Sequence, residues 1–196
     1  MEAAIATFLR ELYEWGRMHD AGEPEHARRM RNLQPETARL ISILVRSGRR
    51  TTLLEIGTSN GYSTIWLAWA TLETGGQLTS IDIDGEKLAM AEANLKRVGL
   101  RERVTLVRGD ATQVLTSLPG PFDFVFFDAD RPRFPAQFNL VTPKLVPGAL
   151  VLADNALSHP DEIAPYLTLV GSRADFDHIV VPVGKGLSVA YKRIAV

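Results

Sequence analysis

Acidic residues stand at or just after the ends of five predicted strands in this chain of 196 residues. The strands are predicted from apolar runs such as Phe124-Val125-Phe126-Phe127, which turn residues interrupt. The carboxyl ends of parallel strands lie at one edge of a sheet, where open α/β sheets bind ligands. Single acids often cap the next helix, but five together favour one site. The five acids are Glu55, Asp82, Asp110, Asp128 and Asp154.

The first of these strands ends in the most informative segment of the chain. Glu55 is followed by a turn that contains Gly57, Ser59 and Gly61, and a helical pattern begins directly afterwards. Glycine has no Cβ and lets the backbone approach a ligand, while a helix N-terminus offers free N–H groups. A dinucleotide motif requires G-x-G-x-x-G, and Ser59 occupies its middle position. Glu55 would repel a phosphate and suits a ligand with a positive end, such as S-adenosylmethionine (AdoMet).

The next two acids fit the nucleoside part of such a ligand. Asp82 follows Gly57 by 25 residues, where nucleotide-binding α/β folds place the acid that holds the ribose. A carboxylate accepts two hydroxyl hydrogen bonds at once, which explains the residue type. Asp84 is interpreted as the N-cap of the following helix. We predict that Asp110 and Ala111 face the adenine and that Asp110 accepts from its amino group.

Asp128, Asp154 and Asn155 form a second predicted group. They follow adjacent strands, so they can converge although 26 residues separate the two aspartates. Two carboxylates and an amide oxygen suit Mg²⁺, Mn²⁺ or Ca²⁺, with waters or substrate oxygens completing the shell. The alternative is that the aspartates cap helices and Asn155 is a turn residue.

Composition excludes several classes of protein. Lys+Arg of 22 against Asp+Glu of 23 gives no overall basic character for nucleic acid, and the absence of cysteine excludes disulfides and thiolate metal sites. No segment approaches the roughly 20 apolar residues of a membrane span. The N-terminus lacks a signal-peptide pattern. We expect a soluble, cytoplasmic protein that does not bind membranes or nucleic acid.

Strand and helix patterns alternate from Thr51 onwards. Near-continuous apolar runs are typical of strands buried on both faces of a parallel sheet. We predict an α/β, Rossmann-like fold with a mostly parallel seven-stranded sheet, helices on both faces and an antiparallel terminal hairpin at Gly184-Lys185-Gly186. The predicted strands are Thr52–Gly57, Gln77–Asp82, Arg103–Arg108, Phe122–Asp128, Ala149–Asp154, His178–Val183 and Leu187–Lys192. The predicted helices are Ala3–Met18, Pro35–Gly48, Tyr62–Leu72, Gly85–Val98, Ala111–Leu118, Arg133–Leu145 and Asp161–Val170.

The length suits a single domain. We place an N-terminal helical extension at residues 1–34 and the AdoMet-binding, Rossmann-like core at residues 35–196.

Five motifs in this order resemble a known family. The chain is similar to the AdoMet-dependent O-methyltransferases of the catechol and caffeoyl-coenzyme A type, over roughly Pro35 to Lys192. The resemblance implies the class I methyltransferase fold. Its most specific part is the pair Asp-Ala-Asp and Asp-Asn, each at a strand end. The motifs are Glu55-Ile56-Gly57-x-x-x-Gly61-Tyr62-Ser63, Asp82, Gly109-Asp110-Ala111, Phe127-Asp128-Ala129-Asp130 and Ala153-Asp154-Asn155.

The resemblance also implies a role for each motif. Asp82 would hold the ribose, Asp110 and Ala111 would face the adenine, and Asp128, Asp154 and Asn155 would bind the metal. In this family the metal grips both oxygens of a vicinal diol, usually a catechol, and lowers the pKa of the acceptor hydroxyl. A small hydroxylated molecule is the implied acceptor. A homodimer is also implied, with the contact supplied by Phe8, Leu12 and Trp15 of the N-terminal helix. The methionine end of AdoMet would be lined by Glu55, Gly57, Ser59, Gly61 and Ser63.

One predicted catalytic position departs from the family pattern. Asp128 and Arg131 are the predicted catalytic residues, and the family usually has lysine, a general base, where Arg131 stands. Arginine stays protonated and cannot act as a base, but it can stabilise a phenolate or clamp an acidic substrate. The hydroxyl proton then passes to water or to another base. His159 is a candidate, with an ordinary surface-loop role as the favoured alternative.

Two other functions remain open at this point. One is methylation of RNA or of a protein, which the near-zero net charge disfavours. The other is a degenerate AdoMet-binding or scaffold protein, which only Arg131 supports.

Overall fold

The computed structural model describes residues 1–194, so the predicted end of the core at residue 196 lies outside the described part. One mixed sheet contains all seven predicted strands, in the order β3-β2-β1-β4-β5-β7-β6. Strands β1 to β5 are parallel, and β7 runs antiparallel to β5 and β6. The strands are β1 Thr52–Ile56, β2 Gln77–Asp82, β3 Val104–Arg108, β4 Phe122–Phe127, β5 Leu145–Ala153, β6 Phe176–Val181 and β7 Leu187–Lys192.

Within residues 1–194, seven α-helices cover both faces of the sheet, as the sequence predicts. They are α1 Ala3–Gly22, α2 Pro35–Ser47, α3 Tyr62–Thr74, α4 Gly85–Arg97, α5 Ala111–Ser117, α6 Phe134–Val141 and α7 Pro160–Gly171. The first four pack into one apolar layer and the last three into the other. Alternate residues of each central strand face opposite layers, so that Leu53 lies in the first layer and Leu54 in the second. Burial on both faces explains the uninterrupted apolar runs.

Several boundaries differ from the prediction, and two of them have clear local reasons. Helix α6 ends at Val141 instead of Leu145, and one turn of 3₁₀-helix follows at Thr142–Lys144. Pro143 has no N–H and cannot continue the hydrogen-bond ladder of the helix. Strand β5 begins at Leu145, which pairs with Phe122 before the register shifts, so it starts earlier than Ala149.

The N-terminal helix packs on its own chain. Phe8 and Leu12 are buried in the first apolar layer, and the Arg97 guanidinium lies 4.8 Å from the Phe8 ring centre. They are therefore not free to supply a dimer contact, whereas Trp15 is 42% exposed. The spacing of apolar residues predicts the apolar face of α1, but it does not indicate which part of the molecule packs against that face. Within residues 1–194, no helix is long and apolar enough to cross a membrane.

Candidate active site

A cavity of about 990 Å³ opens at the carboxyl edge of the parallel strands. It brings together residues from four separate strand ends, as expected from the parallel topology. Its far wall is a segment that we call the N-terminal strap, residues 23–34 between α1 and α2. The predicted site residues that line the cavity are Gly57, Ser59, Ser63, Asp82, Asp128, Arg131, Asp154, Asn155 and His159.

Ser59 positions the carboxylate of Asp82. The backbone of Ser59 has φ of 48°, and its N–H donates to Asp82 Oδ2 at 2.8 Å. The N–H of Asp84 donates to the other oxygen, Oδ1, at 2.9 Å. A carboxylate oxygen accepts more than one hydrogen bond, so Asp82 retains capacity for hydroxyl groups of a ligand. The Ser59 hydroxyl donates to the carbonyl of Met30 in the strap at 2.8 Å, which joins this loop to the opposite wall.

The two motif glycines make close approaches to protein backbone. Gly57 has φ of 106°, and a Cβ there would overlap the carbonyl of Asp128. Gly61 has φ of 87°, and a Cβ there would lie 3.0 Å from Cβ of Ala91 in α4. Gly57 also lines the cavity, but Gly61 is not among its lining residues. The principal local reason for Gly61 is therefore the packing of α3 on α4, and its role in cofactor binding stays a prediction.

Glu55 lies beneath the cavity wall at the centre of a buried network. The hydroxyls of Ser63, Thr64 and Ser80 all donate to its carboxylate at 2.6 Å. Burial raises the pKa of Glu55 to about 7, with the charge of Asp82 adding to the rise and the three hydroxyl donors opposing it. Glu55 does not itself line the cavity, so a direct contact with the methionine end of a cofactor is not what this structure shows, and its role in cofactor binding stays a prediction.

A smaller cavity of about 190 Å³ adjoins the first on the side of α5. Gly57, Asp82, Asp110 and Ala111 line it, as the adenine prediction requires. Both oxygens of Asp110 are already engaged, because Oδ1 accepts from the N–H of Thr112 at 2.8 Å and Oδ2 from Arg133 at 2.5 Å. Asp110 therefore caps α5, and Asp84 caps α4 in the same way. The contact of Asp110 with adenine stays a prediction.

The predicted metal ligands come together at the ends of β4 and β5. Asp154 is 3% exposed, and its Oδ1 is buried without a hydrogen-bond partner within the described residues. Burial raises the pKa of Asp154 to about 6. Burial and the charge of Asp154 raise the pKa of Asp128 well above its usual range, because the two carboxylates lie close together. Asn155, with φ of 67°, accepts from the Ser158 hydroxyl at 3.1 Å.

The chain offers only a few ligands for the predicted metal. Residues 1–194 contain no group of three or more His, Cys, Asp or Glu side chains arranged for a metal. The predicted set has two carboxylates and an amide, so water and substrate oxygens would have to supply the remaining ligands. The unpartnered oxygen and the mutual repulsion of the carboxylates fit a hard divalent cation.

Two positively charged residues border this pair. Arg131 is held by Glu162 of α7, with Nε at 2.8 Å and a terminal nitrogen at 2.6 Å from the same carboxylate oxygen. Lys185, at the tip of the β6–β7 hairpin, also lines the cavity. The sequence pattern predicts only that Lys185 lies in a hairpin turn, because the flanking glycines are the turn signal and they indicate nothing about a binding site. The charges of Lys185 and Arg131 lower the pKa of both aspartates and so oppose the effect of burial.

His159 lies at the exposed rim of the cavity. Its Nδ1 is 2.8 Å from the Ser158 hydroxyl, and Ser158 in turn donates to Asn155. This chain connects His159 to the predicted metal ligands, but its role as a base stays a prediction.

Comparison with known proteins identifies the family. The family model described as O-methyltransferase matches residues 9–165. The chain belongs to the O-methyltransferase family. The resemblance to the catechol and caffeoyl-coenzyme A type is confirmed by relatives that carry those names.

Relatives of this chain differ in how much of their length is matched. A catechol O-methyltransferase of Niastella koreensis is 35% identical over 130 residues, which cover 64% of this chain and 58% of that relative. A caffeoyl-CoA O-methyltransferase of Stellaria longipes is 24% identical over 206 residues, which cover 93% of this chain and 85% of that relative. The chain thus matches little more than half the length of the catechol relative.

A solved structure confirms the fold of this chain. An O-methyltransferase from Bacillus cereus, in complex with SAH, superposes with a TM-score of 0.80 and 25% identity, covering 95% of this chain and 91% of that one. The Rossmann-like architecture predicted from the strand pattern and the methyltransferase fold implied by the resemblance are therefore both correct.

Proposed function

We propose that this protein is an AdoMet-dependent O-methyltransferase that uses a divalent metal to methylate a hydroxyl of a small catechol-like diol. The observation that carries the proposal is the buried, unpartnered Oδ1 of Asp154 in a cavity that it shares with Asp128, Asn155 and Asp82. One cavity thus offers a nucleoside-binding carboxylate and a hard-cation ligand set.

The cofactor half rests on the β1–α3 loop and on β2. Asp82 has both oxygens oriented by backbone N–H groups and faces the cavity, which suits the two hydroxyls of a ribose. The buried negative charge of Glu55 suits the ammonium and sulfonium of AdoMet better than a phosphate. The Bacillus cereus structure was solved with SAH, the demethylated form of the cofactor. The smaller cavity of about 190 Å³, which Ala111 lines, is the place proposed for the adenine.

The metal half rests on Asp128, Asp154 and Asn155. The two carboxylates balance the charge of a divalent cation and the amide oxygen adds a neutral ligand. A cation held there supplies Lewis-acid chemistry, which lowers the pKa of a substrate hydroxyl and fixes its direction. Asp128 is then catalytic through its position between the cofactor loop and the acceptor.

The chain itself supplies orientation and a water-poor site. In an SN2 transfer the C–O bond forms as the C–S bond breaks, and the positive charge on sulfur disappears. A cavity that excludes water favours this loss of charge. The strap, fixed to the cofactor loop through Met30 and Ser59, closes one side of the cavity. Arg131, compensated by Glu162, lies beside Asp128, and its charge lowers the pKa of that carboxylate.

Two measurements test the proposal. Isothermal titration should show binding of AdoMet and of S-adenosylhomocysteine, and a panel of catechols with Mg²⁺ or Mn²⁺ should give methylated product. No binding of either nucleoside would contradict the cofactor half. Binding without turnover of any acceptor would indicate a scaffold protein, and a salt-sensitive shift of RNA in a gel would favour a macromolecular acceptor.

The metal half has a separate test. Asp128→Ala should abolish turnover and leave AdoMet affinity within about twofold, whereas Asp177→Ala, which removes a surface ion pair on β6, should leave the kinetics unchanged. Full activity in EDTA would contradict metal assistance.

A further inference from the structure

The tip of the β6–β7 hairpin is fastened to the loop that carries the predicted metal ligands. The carbonyl of Lys185 accepts from the N–H groups of Leu157 and Ser158, at 3.0 and 3.2 Å. The N–H of Ala156 donates to the carbonyl of Gly186 at 2.9 Å. Ala153 of β5 pairs with Ser188 of β7, so the continuation of β7 beyond this pair runs alongside the segment that starts at Asp154. The backbone at Lys185 is therefore fixed beside the metal-ligand loop.

Lys185 lines the same cavity as Asp128, Asp154 and Arg131. It is half-buried. Its charge lowers the pKa of both aspartates, as expected of a cation in the same cavity. Across residues 1–194, Lys185 makes no ion pair within 4.0 Å. This ammonium thus shares the cavity with the two aspartates but is not committed to either of them.

Arg131 is in a different position. Its side chain is only 15% exposed, and the two contacts with Glu162 compensate its charge and direct it towards α7. The pair of Arg131 and Glu162 adds no net charge to the cavity wall. Lys185 is the cation beside Asp128 that retains its hydrogen-bonding capacity.

The charges in the assembled site indicate a role for the Lys185 ammonium. Two carboxylates and a divalent cation sum to zero, and an ionised acceptor oxygen adds one negative charge. A negative charge without a partner is costly in a half-buried cavity. The sulfonium of AdoMet is separated from this oxygen by the methyl group, so a cation that contacts the oxyanion directly has to come from the protein, and Lys185 is placed to supply it.

We propose that the Lys185 ammonium pairs with the acceptor oxyanion and stabilises it during methyl transfer, an inference that rests on the proposed function. The hydroxyl proton leaves to water before transfer. A lone pair of the oxygen then forms the bond to the methyl carbon, and the electrons of the C–S bond remain on sulfur, which yields S-adenosylhomocysteine. Lys185 transfers no proton in this step and acts by its charge.

The test compares Lys185→Gln, Lys185→Arg and Lys96→Gln, a matched exposed control on α4. Turnover is measured with a catechol, and ionisation of bound 4-nitrocatechol is followed by its phenolate absorbance in the presence of Mg²⁺ and S-adenosylhomocysteine. Lys185→Gln should lower kcat about 100-fold, as the loss of one oxyanion-stabilising group typically does. It should also raise the pKa of bound 4-nitrocatechol by about one unit. Lys185→Arg, which keeps the charge, should retain most of the activity, and Lys96→Gln should match the wild type.

The possible results distinguish a failure of the Lys185 role from a failure of the proposed function. Unchanged kcat and nitrocatechol pKa in Lys185→Gln would overturn the role of Lys185 while the proposed function stands. Equal losses in the Gln and Arg variants with an unshifted nitrocatechol pKa would indicate a structural role and overturn it as well. A wild-type protein that neither binds 4-nitrocatechol nor methylates any catechol would overturn the proposed function and this role with it.

Discussion

Gly57 lies directly against the carbonyl of Asp128, so closely that a Cβ on Gly57 would overlap it. The N–H of Asp128 donates to the carbonyl of Ile56 at 2.9 Å, which holds the two strand ends in register. The predicted cofactor loop and the predicted metal ligand therefore share one backbone contact. A change at either residue must be transmitted to the other.

Gly57→Ala should impair both halves of the site. The φ of 106° is unfavourable for alanine, and the methyl group would displace the carbonyl of Asp128. We expect a loss of about 3 kcal/mol in the free energy of unfolding, together with weaker binding of both AdoMet and metal. Gly75→Ala is the matched control, because Gly75 has φ of 75° but nothing within 4 Å of an added Cβ. Gly75→Ala should lower the free energy of unfolding by only about 1 kcal/mol. Equal costs by urea denaturation would contradict the close contact.

Glu55→Gln should remove a pH dependence of AdoMet binding. With a pKa of about 7, Glu55 is mostly protonated at pH 6 and mostly ionised at pH 8. Its charge attracts the positive end of AdoMet, so the wild-type affinity should rise about fivefold over this range, the equivalent of about 1 kcal/mol. Titration calorimetry at both pH values gives the ratio. A variant that retains the full wild-type pH dependence would exclude Glu55 as its source.

The same residue should make stability depend on pH. The pKa of Glu55 is raised from 4.5 to about 7 in the folded state, so the folded state holds this proton more tightly than the unfolded state. Its contribution is fully present below pH 4.5 and is lost as the pH rises through 7, a change of about 3 kcal/mol. Between pH 5 and pH 8 the wild type should therefore lose unfolding free energy relative to Glu55→Gln, which has no titrating group at this position. A constant difference would contradict the raised pKa.

Asp128→Asn should separate metal binding from folding. In EDTA the repulsion between Asp128 and Asp154 is uncompensated, so removing one charge should raise Tm. Mg²⁺ or Mn²⁺ at 100 times its Kd should stabilise the wild type by about 3 kcal/mol and the variant hardly at all. Differential scanning fluorimetry with and without metal measures both effects. Asp130→Asn, an exposed partner of Arg133, is the control and should respond to metal as the wild type does. A metal shift of the same size in Asp128→Asn would remove Asp128 from the ligand set.

Asp20→Ala should release the strap. The carboxylate of Asp20 accepts from the N–H groups of Met30 and Arg31, at 2.6 and 2.7 Å. These donors lower the pKa of Asp20 against the effect of its burial. Without them, amide exchange at Met30 and Arg31 should accelerate by more than tenfold, and AdoMet affinity should fall because the carbonyl of Met30 holds Ser59. Asp177→Ala, which removes a surface ion pair on β6, should change neither quantity.

Local patterns in the sequence determined the order and type of the elements. Apolar runs identify strands buried on both faces, because such strands cannot alternate polar and apolar residues. The parallel arrangement then follows from the alternation with helices, and it places Asp82, Asp128 and Asp154 at one edge whatever the details of packing. The N-cap at Asp84 was likewise predictable, because a cap is defined by residues only two or three positions away.

Only the tertiary structure decided which partners these side chains meet. Asp110 pairs with Arg133, Arg131 with Glu162, and Phe8 with Arg97, and each pair is separated by more than 20 residues. No local spacing encodes such contacts, because they depend on how helices from opposite ends of the chain pack on the sheet. Lys185 is the clearest case, since its sequence neighbours specify a turn and only the pairing of β5 with β7 carries that turn to the metal-ligand loop.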